Sequence, residues 1–151
     1  PIFSIYRPSP GISSSNIYFG SASSSSLLKL TKVFSPVKGE TVCTDGAVSG
    51  QHCDITVDNV DLTASTTILN ALQFFYHMIS GHSSSHGVAV AEGDSGGPVY
   101  DYQSGGYAAV GIITGGQTTT PCNSGGTTCF SDVVFSSAYR DFGVLNMLLN
   151  N

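Results

Sequence analysis

Apolar and β-branched residues in this chain come in short runs, each broken by Gly, Ser, Asn, Asp or Pro. The runs at residues 2–6, 17–20, 27–33, 40–43, 52–60, 74–79, 98–102 and 107–113, with a last piece at 127–130, read as β-strands. Eight or nine strands fit a closed barrel with extensions, so the expected fold class is all-β. Segment 68–79 is open to two readings. Ile68, Leu72, Phe75 and Ile79 recur at helical spacing, while residues 73–79 are rich in aromatic strand formers. Near the C-terminus, Val134, Ala138, Tyr139 and Phe142 share one helical stripe that stops at Gly143, a natural left-handed cap, and one terminal helix is expected there. Serine clusters at 13–15, 23–26 and 83–85 read as exposed loops without chemistry, because small hydroxyl side chains do not offset the entropy of being ordered in a core.

Composition narrows the picture. The 151 residues are 40% hydrophobic and 10% charged, which fits one compact domain and argues against disorder. A formal net charge of -5 supplies no basic stripe for phosphate backbones, so no nucleic acid is expected as a partner. No apolar run approaches the roughly 20 residues that span a bilayer, and no membrane partner is expected. The chain opens at Pro1 without Met or an apolar leader, which leads us to expect a processed or trimmed product.

The four cysteines fall as two short-range pairs, Cys43 with Cys53 and Cys122 with Cys129, separated by turn residues. That spacing suits disulfide staples across hairpins or loops, with Thr44-Asp45-Gly46 offering turn chemistry at the centre of the first. Zinc would need tighter knuckles or histidines at ligand spacing, so no metal or other cofactor is expected. Two disulfides in a Lys-poor, Ser- and Gly-rich chain point to an oxidising, extracellular destination.

Gly93-Asp94-Ser95-Gly96-Gly97-Pro98 carries the most chemical information. A nucleophile elbow would require a helix after the serine, but two glycines, a proline and then Val99-Tyr100 read into a strand. The other reading is a tight glycine-rich loop whose backbone amides converge beside the Ser95 hydroxyl. Gly93 can turn its amide inward without steric cost, and Ser95 supplies a second N–H together with the attacking oxygen.

Through this hexapeptide the chain resembles the chymotrypsin-like serine peptidases, and within them the secreted bacterial streptogrisin and α-lytic type. The likeness extends over roughly residues 38–145. Thr41-Val42-Cys43 to Cys53 resembles the disulfide-closed hairpin that opens the family's second barrel. Val110 to Gly116 resembles the strand that pairs with substrate backbone, and Gly125-Gly126-Thr127-Thr128 with Phe130 the wall behind the specificity pocket. The resemblance implies a six-stranded antiparallel Greek-key barrel with a C-terminal helix over residues 38–151, preceded by an extended segment and inter-barrel linker at 1–37. It implies Ser95 as acylated nucleophile, the Gly93 and Ser95 amides as oxyanion hole, and Thr114-Gly115-Gly116 as a backbone cradle for a polypeptide substrate. Ala89 and Val90 would line the pocket, Thr127 would belong to its wall, and Glu92 would be either a pocket-entrance residue or a solvated loop acid. The same resemblance favours strand at 74–79.

Three departures follow. The family's base and acid motifs are missing, and His52, His77, His82 and His86 all fall between the hairpin and the Ser95 loop. We therefore expect the C-terminal half of a two-barrel enzyme, whose His and Asp come from a first-barrel fragment or were removed or lost. The family also neutralises the residue at Asp94 with a buried cation, either a new N-terminus or an Arg where this chain has Thr44. Arg7, Lys29, Lys32, Lys38, Arg140 or a partner's terminus are the candidates here. Finally, the family often ties Cys122 to the loop before the serine, yet no cysteine lies between Cys53 and Cys122. The expected function is a secreted serine endopeptidase; the alternative is an inactive pseudo-peptidase or binding module, with an esterase or transferase third.

Overall fold

In a computed structural model of the chain, the described residues are 15–68, 71–122 and 127–140. Their strands, in order, are β1 (Asn16–Tyr18), β2 (Leu27–Val33), β3 (Thr41–Gly46), β4 (Gly50–Ile68), β5 (Ala71–Ser83), β6 (Val90–Ala91), β7 (Pro98–Gln103), β8 (Gly106–Gly115), β9 (Thr119–Thr120), β10 (Cys129–Phe130) and β11 (Asp132–Ser137). Six of them close a ring in the order β3, β4, β5, β11, β8, β7 and back to β3, with every pairing antiparallel. The chain passes from β5 to β7 on the far side of β3, which is the Greek-key step. Closure leaves no open edge within the ring.

Alternation explains why these residues form a barrel. Ile55 and Val57 on β4, Val110 on β8, and Val133 and Phe135 on β11 point inward and are at most 1% exposed. Each such burial contributes about 1.5–3 kcal/mol. Phe34 and Phe130 pack against this core from outside the ring. A second cluster of Leu28, Leu30 and Tyr100 fastens β2, which runs parallel to β8, and β1 pairs antiparallel with β2. A separate small sheet of β6, β10 and β9 stands beside the site.

Several local expectations change. Segment 74–79 is strand, within a β5 that pairs along almost the whole of β4, so the helical recurrence of Leu72, Phe75 and Ile79 is incidental. Thr44, Asp45 and Gly46 belong to β3, and the hairpin turns at residues 47–49. The Cys43–Cys53 and Cys122–Cys129 disulfides are formed. Val134 is strand, because β11 closes the ring; the helix begins only at residues 138–140, and Phe142 and Gly143 lie outside the described residues. The strand expected at 2–6 also lies outside them. Ser83 is fully buried, not an exposed loop residue, and with Ser85 it donates to the Asp54 carboxylate at 2.7 and 2.6 Å.

Candidate active site

The Ser95 loop connects β6 to β7 at the mouth of the barrel. It is pinned from both sides: the Gly96 amide donates to the Ile113 carbonyl on β8 at 2.9 Å, and the Ile113 amide donates to Gly97 at 2.9 Å. The Gly97 amide closes a turn onto the Asp94 carbonyl. Gly93 has φ +98, a left-handed conformation that a side chain would strain. Ser95 is exposed, and its hydroxyl donates to the Thr114 carbonyl at 3.0 Å. Among the described residues, the amides of Gly93 and Ser95 donate to no acceptor. Two unpaired donors beside an accessible hydroxyl can hold developing negative charge on an oxygen.

Asp94 explains how the loop keeps this shape. The residue is 1% exposed, and no ion pair among the described residues involves it. Its Oδ1 accepts from the Val48 and Ser49 amides at 2.8 and 3.1 Å. Its Oδ2 accepts from the Ser49 hydroxyl at 2.6 Å and the Ala91 amide at 2.7 Å. The described cation candidates are placed elsewhere: Lys29 and Lys38 are exposed, Lys32 donates to the Ser104 carbonyl, and Arg140 lies 4.0 Å from Asp61. Arg7 lies outside the described residues. Thr44, at the position where the family carries an Arg, donates its hydroxyl to the Ala89 carbonyl at 2.7 Å. Gly46 is required by contact, since a Cβ there would sit 2.0 Å from Asp94 Cγ.

The other expected site residues divide. Thr114 and Gly115 lie beside the Ser95 loop, and a Cβ on Gly115 would meet nothing within 4 Å, so an extended chain has room there. Gly116 differs: its missing side chain makes room for Phe130, which a Cβ would meet at 2.4 Å. Ala89 and Val90 are 0% and 1% exposed and belong to the barrel core. Their side chains therefore fill the barrel interior rather than an open pocket. Glu92 is exposed; its amide donates to Thr128, and its carbonyl accepts from the Thr127 hydroxyl at 3.3 Å. Gly125 and Gly126 lie outside the described residues.

None of the four histidines pairs with Ser95. His77 and His82 contact Asp61 and Asp58 on β4 at 2.6 and 2.8 Å, His52 stands opposite Thr44, and His86 adopts φ 58 in the loop after β5. A cleft of about 620 Å³ opens along the Ser95 loop and is lined also by Gly46, Ala47, Ile17, Tyr18 and Phe19. The part played by β1 in that wall was not anticipated from the sequence, nor was Ser49. An acid inside a Gly-Gly motif, in a chain lacking the family's Arg, is the signal that could have directed attention to nearby hydroxyl donors.

The fold has a counterpart among solved structures. A glutamic-acid-specific serine protease, described as using a histidine triad in substrate binding, superposes with a TM-score of 0.62 at 19% identity. The match covers 93% of this chain and 63% of that one, so the chain spans less than two thirds of the protease it resembles. No family model matches the chain, and no curated protein matches it in sequence. What the superposition establishes is the architecture: the barrel has the chymotrypsin-like fold of a serine protease.

Proposed function

We propose that this chain is the C-terminal barrel of a secreted serine endopeptidase and carries its nucleophile and substrate cleft. The observation behind this reading is the exposed Ser95 hydroxyl beside the amides of Gly93 and Ser95, which are unpaired among the described residues. The Ser95 oxygen attacks the carbonyl carbon of a peptide bond while its proton passes to a base supplied by a first-barrel fragment. The carbonyl oxygen becomes negative and is held by the two amides. Collapse expels the amine, which takes up the proton, and leaves an acyl ester on Ser95 that water then hydrolyses. Thr114 and Gly115 present backbone to an extended substrate, while Glu92 and Thr127 border the pocket. Two disulfides accord with an extracellular site of action.

One observation favours a second reading, a pseudo-peptidase that binds polypeptide without cleaving it. The Ser95 hydroxyl donates to a carbonyl and has no imidazole beside it among the described residues. A fluorophosphonate probe, applied to the protein together with whatever copurifies, separates the two. Labelling well above background that disappears in Ser95→Ala supports the peptidase, and intact-mass analysis of the same sample should then reveal a His-bearing fragment. Labelling at the background rate favours the binding module, and labelling that survives Ser95→Ala removes the site assignment.

A further inference from the structure

We infer that the β3–β4 turn, through Ser49, takes the place of a cation at Asp94, so that the loop from Gly93 to Ser95 is set without a liberated N-terminus or a buried Arg. The inference deepens the peptidase reading and rests on it for its catalytic meaning. A carboxylate offers about four acceptor positions. Here all four are filled, two on each oxygen, by the Val48 amide, the Ser49 amide, the Ser49 hydroxyl and the Ala91 amide. Among the described residues, no cation adds to this set. Hydrogen bonds to a charged acceptor are roughly twice as strong as neutral ones, so a full set can stabilise a buried carboxylate without a counter-charge.

The geometry makes Ser49 a positioning residue for Ser95. It supplies two of the four donors, including the shortest, and it sits on the β3–β4 hairpin, whereas the loop joins β6 to β7. Gly46, from the same hairpin, leaves the space that the Asp94 side chain occupies. Asp94 thereby ties the loop to the 47–49 turn, while its Ala91 contact fixes the strand just before Gly93. Removing the Ser49 hydroxyl leaves the barrel core untouched but loosens the element that aims the two free amides.

Backbone amide exchange on the isotope-labelled full chain tests this directly. Val48 is 38% exposed, yet its amide should exchange roughly tenfold or more slowly than that of Ala47 in the same turn, because the carboxylate holds it. Ser49→Ala should accelerate exchange at Ala91 by roughly ten- to hundredfold while the amides of Val133 and Phe135 stay protected, and Ser49→Thr should restore protection. Acetylating the N-terminal amine should change neither. In the labelling assay, run at a temperature where the variant is fully folded, Ser49→Ala should slow phosphonylation of Ser95, with recovery in Ser49→Thr. Unaltered Ala91 exchange in Ser49→Ala, fast exchange at Val48 in the wild type, or loss of protection on acetylation would each overturn the inference. If no variant is ever labelled, the peptidase reading falls, while the exchange data still decide the role of Ser49.

Discussion

The two ends of the β4 hairpins treat carboxylates in opposite ways. At the Ser95 end, Asp94 is buried and meets four neutral donors from backbone and serine. Toward the far arm of β4 and β5, Asp61 lies in the open and meets His77 at 2.6 Å and Arg140 at 4.0 Å. Of the 5 Lys and Arg, the four among the described residues lie where water screens them. The most deeply buried acid, Asp94, is satisfied by amides and a hydroxyl instead, because an incompletely paired charge costs most where water is absent. The abundance of serine, which in sequence reads as loop filler, is thus partly a supply of uncharged donors.

The sharpest way to break this contrast is to delete both acids separately. Asp94→Ala strands three backbone amides and a hydroxyl around an emptied site and should cost about 4 kcal/mol in denaturant unfolding. Asp61→Ala removes an exposed pair whose attraction is screened, and it should leave the unfolding midpoint unchanged. Equal losses in the two variants would show that burial does not set the value of these contacts. Gly46→Ala attacks the same site sterically. Its Cβ would fall 2.0–2.4 Å from the atoms of the Asp94 carboxylate, so the β3–β4 hairpin and the Ser95 loop must separate, at about 3 kcal/mol. A near-neutral Gly46→Ala would mean that Asp94 has another place to go.

Asp54 is an intermediate case and adds a pH dependence. Burial pushes its carboxyl up, but hydrogen bonds from Ser85 and Ser83 outweigh that and hold it below the ordinary carboxylate range. An acid lowered in the folded state stabilises the fold above its unfolded pKa, and the gain is lost as pH falls through the folded value. Asp54→Ala should therefore destabilise the protein by about 2 kcal/mol at pH 7. The gap between variant and wild type should close progressively on acidification below roughly pH 4. A gap independent of pH would assign the effect to packing.

How much of this was legible beforehand follows the same division. Period-two alternation such as Ile55 and Val57, or Val133 and Phe135, is a local property, so the barrel strands and their inward faces can be read from the chain. The hexapeptide around Ser95 can be read too, since turn, amides and hydroxyl are consecutive residues. Neighbours that are distant in sequence leave no such trace. Asp94 meets Ser49 across 45 positions, and Thr44 meets Ala89 across another 45. Nothing in the local pattern of Ala89 and Val90 distinguishes a pocket wall from a barrel core, and only the closed ring decides it. Gly116 carries the same lesson, because its glycine answers to the ring of Phe130 and not to a substrate.

The smallest expected change in stability concerns Asp45, on β3 beside Asp94, since Asp61→Ala is expected to produce none. Its carboxyl is pushed up chiefly by burial, with the nearby Asp94 charge adding to the rise, while the Gly20 amide and His52 oppose it. The sign is opposite to that of Asp54. An acid raised in the folded state holds its proton more tightly when folded, so stability falls as pH climbs from the unfolded value through the folded one and is then level. Asp45→Asn keeps an acceptor for the Gly20 amide but removes the charge, and should raise stability by about 1 kcal/mol at pH 7. The advantage should shrink toward zero below roughly pH 4, where the wild-type acid is neutral in both states. Because Asp45 and Asp94 repel, the substitution should also leave the bonds from the 47–49 turn to Asp94 at least as well protected from exchange. A loss of that protection would mean that Asp45 supports the Ser95 loop rather than straining against it.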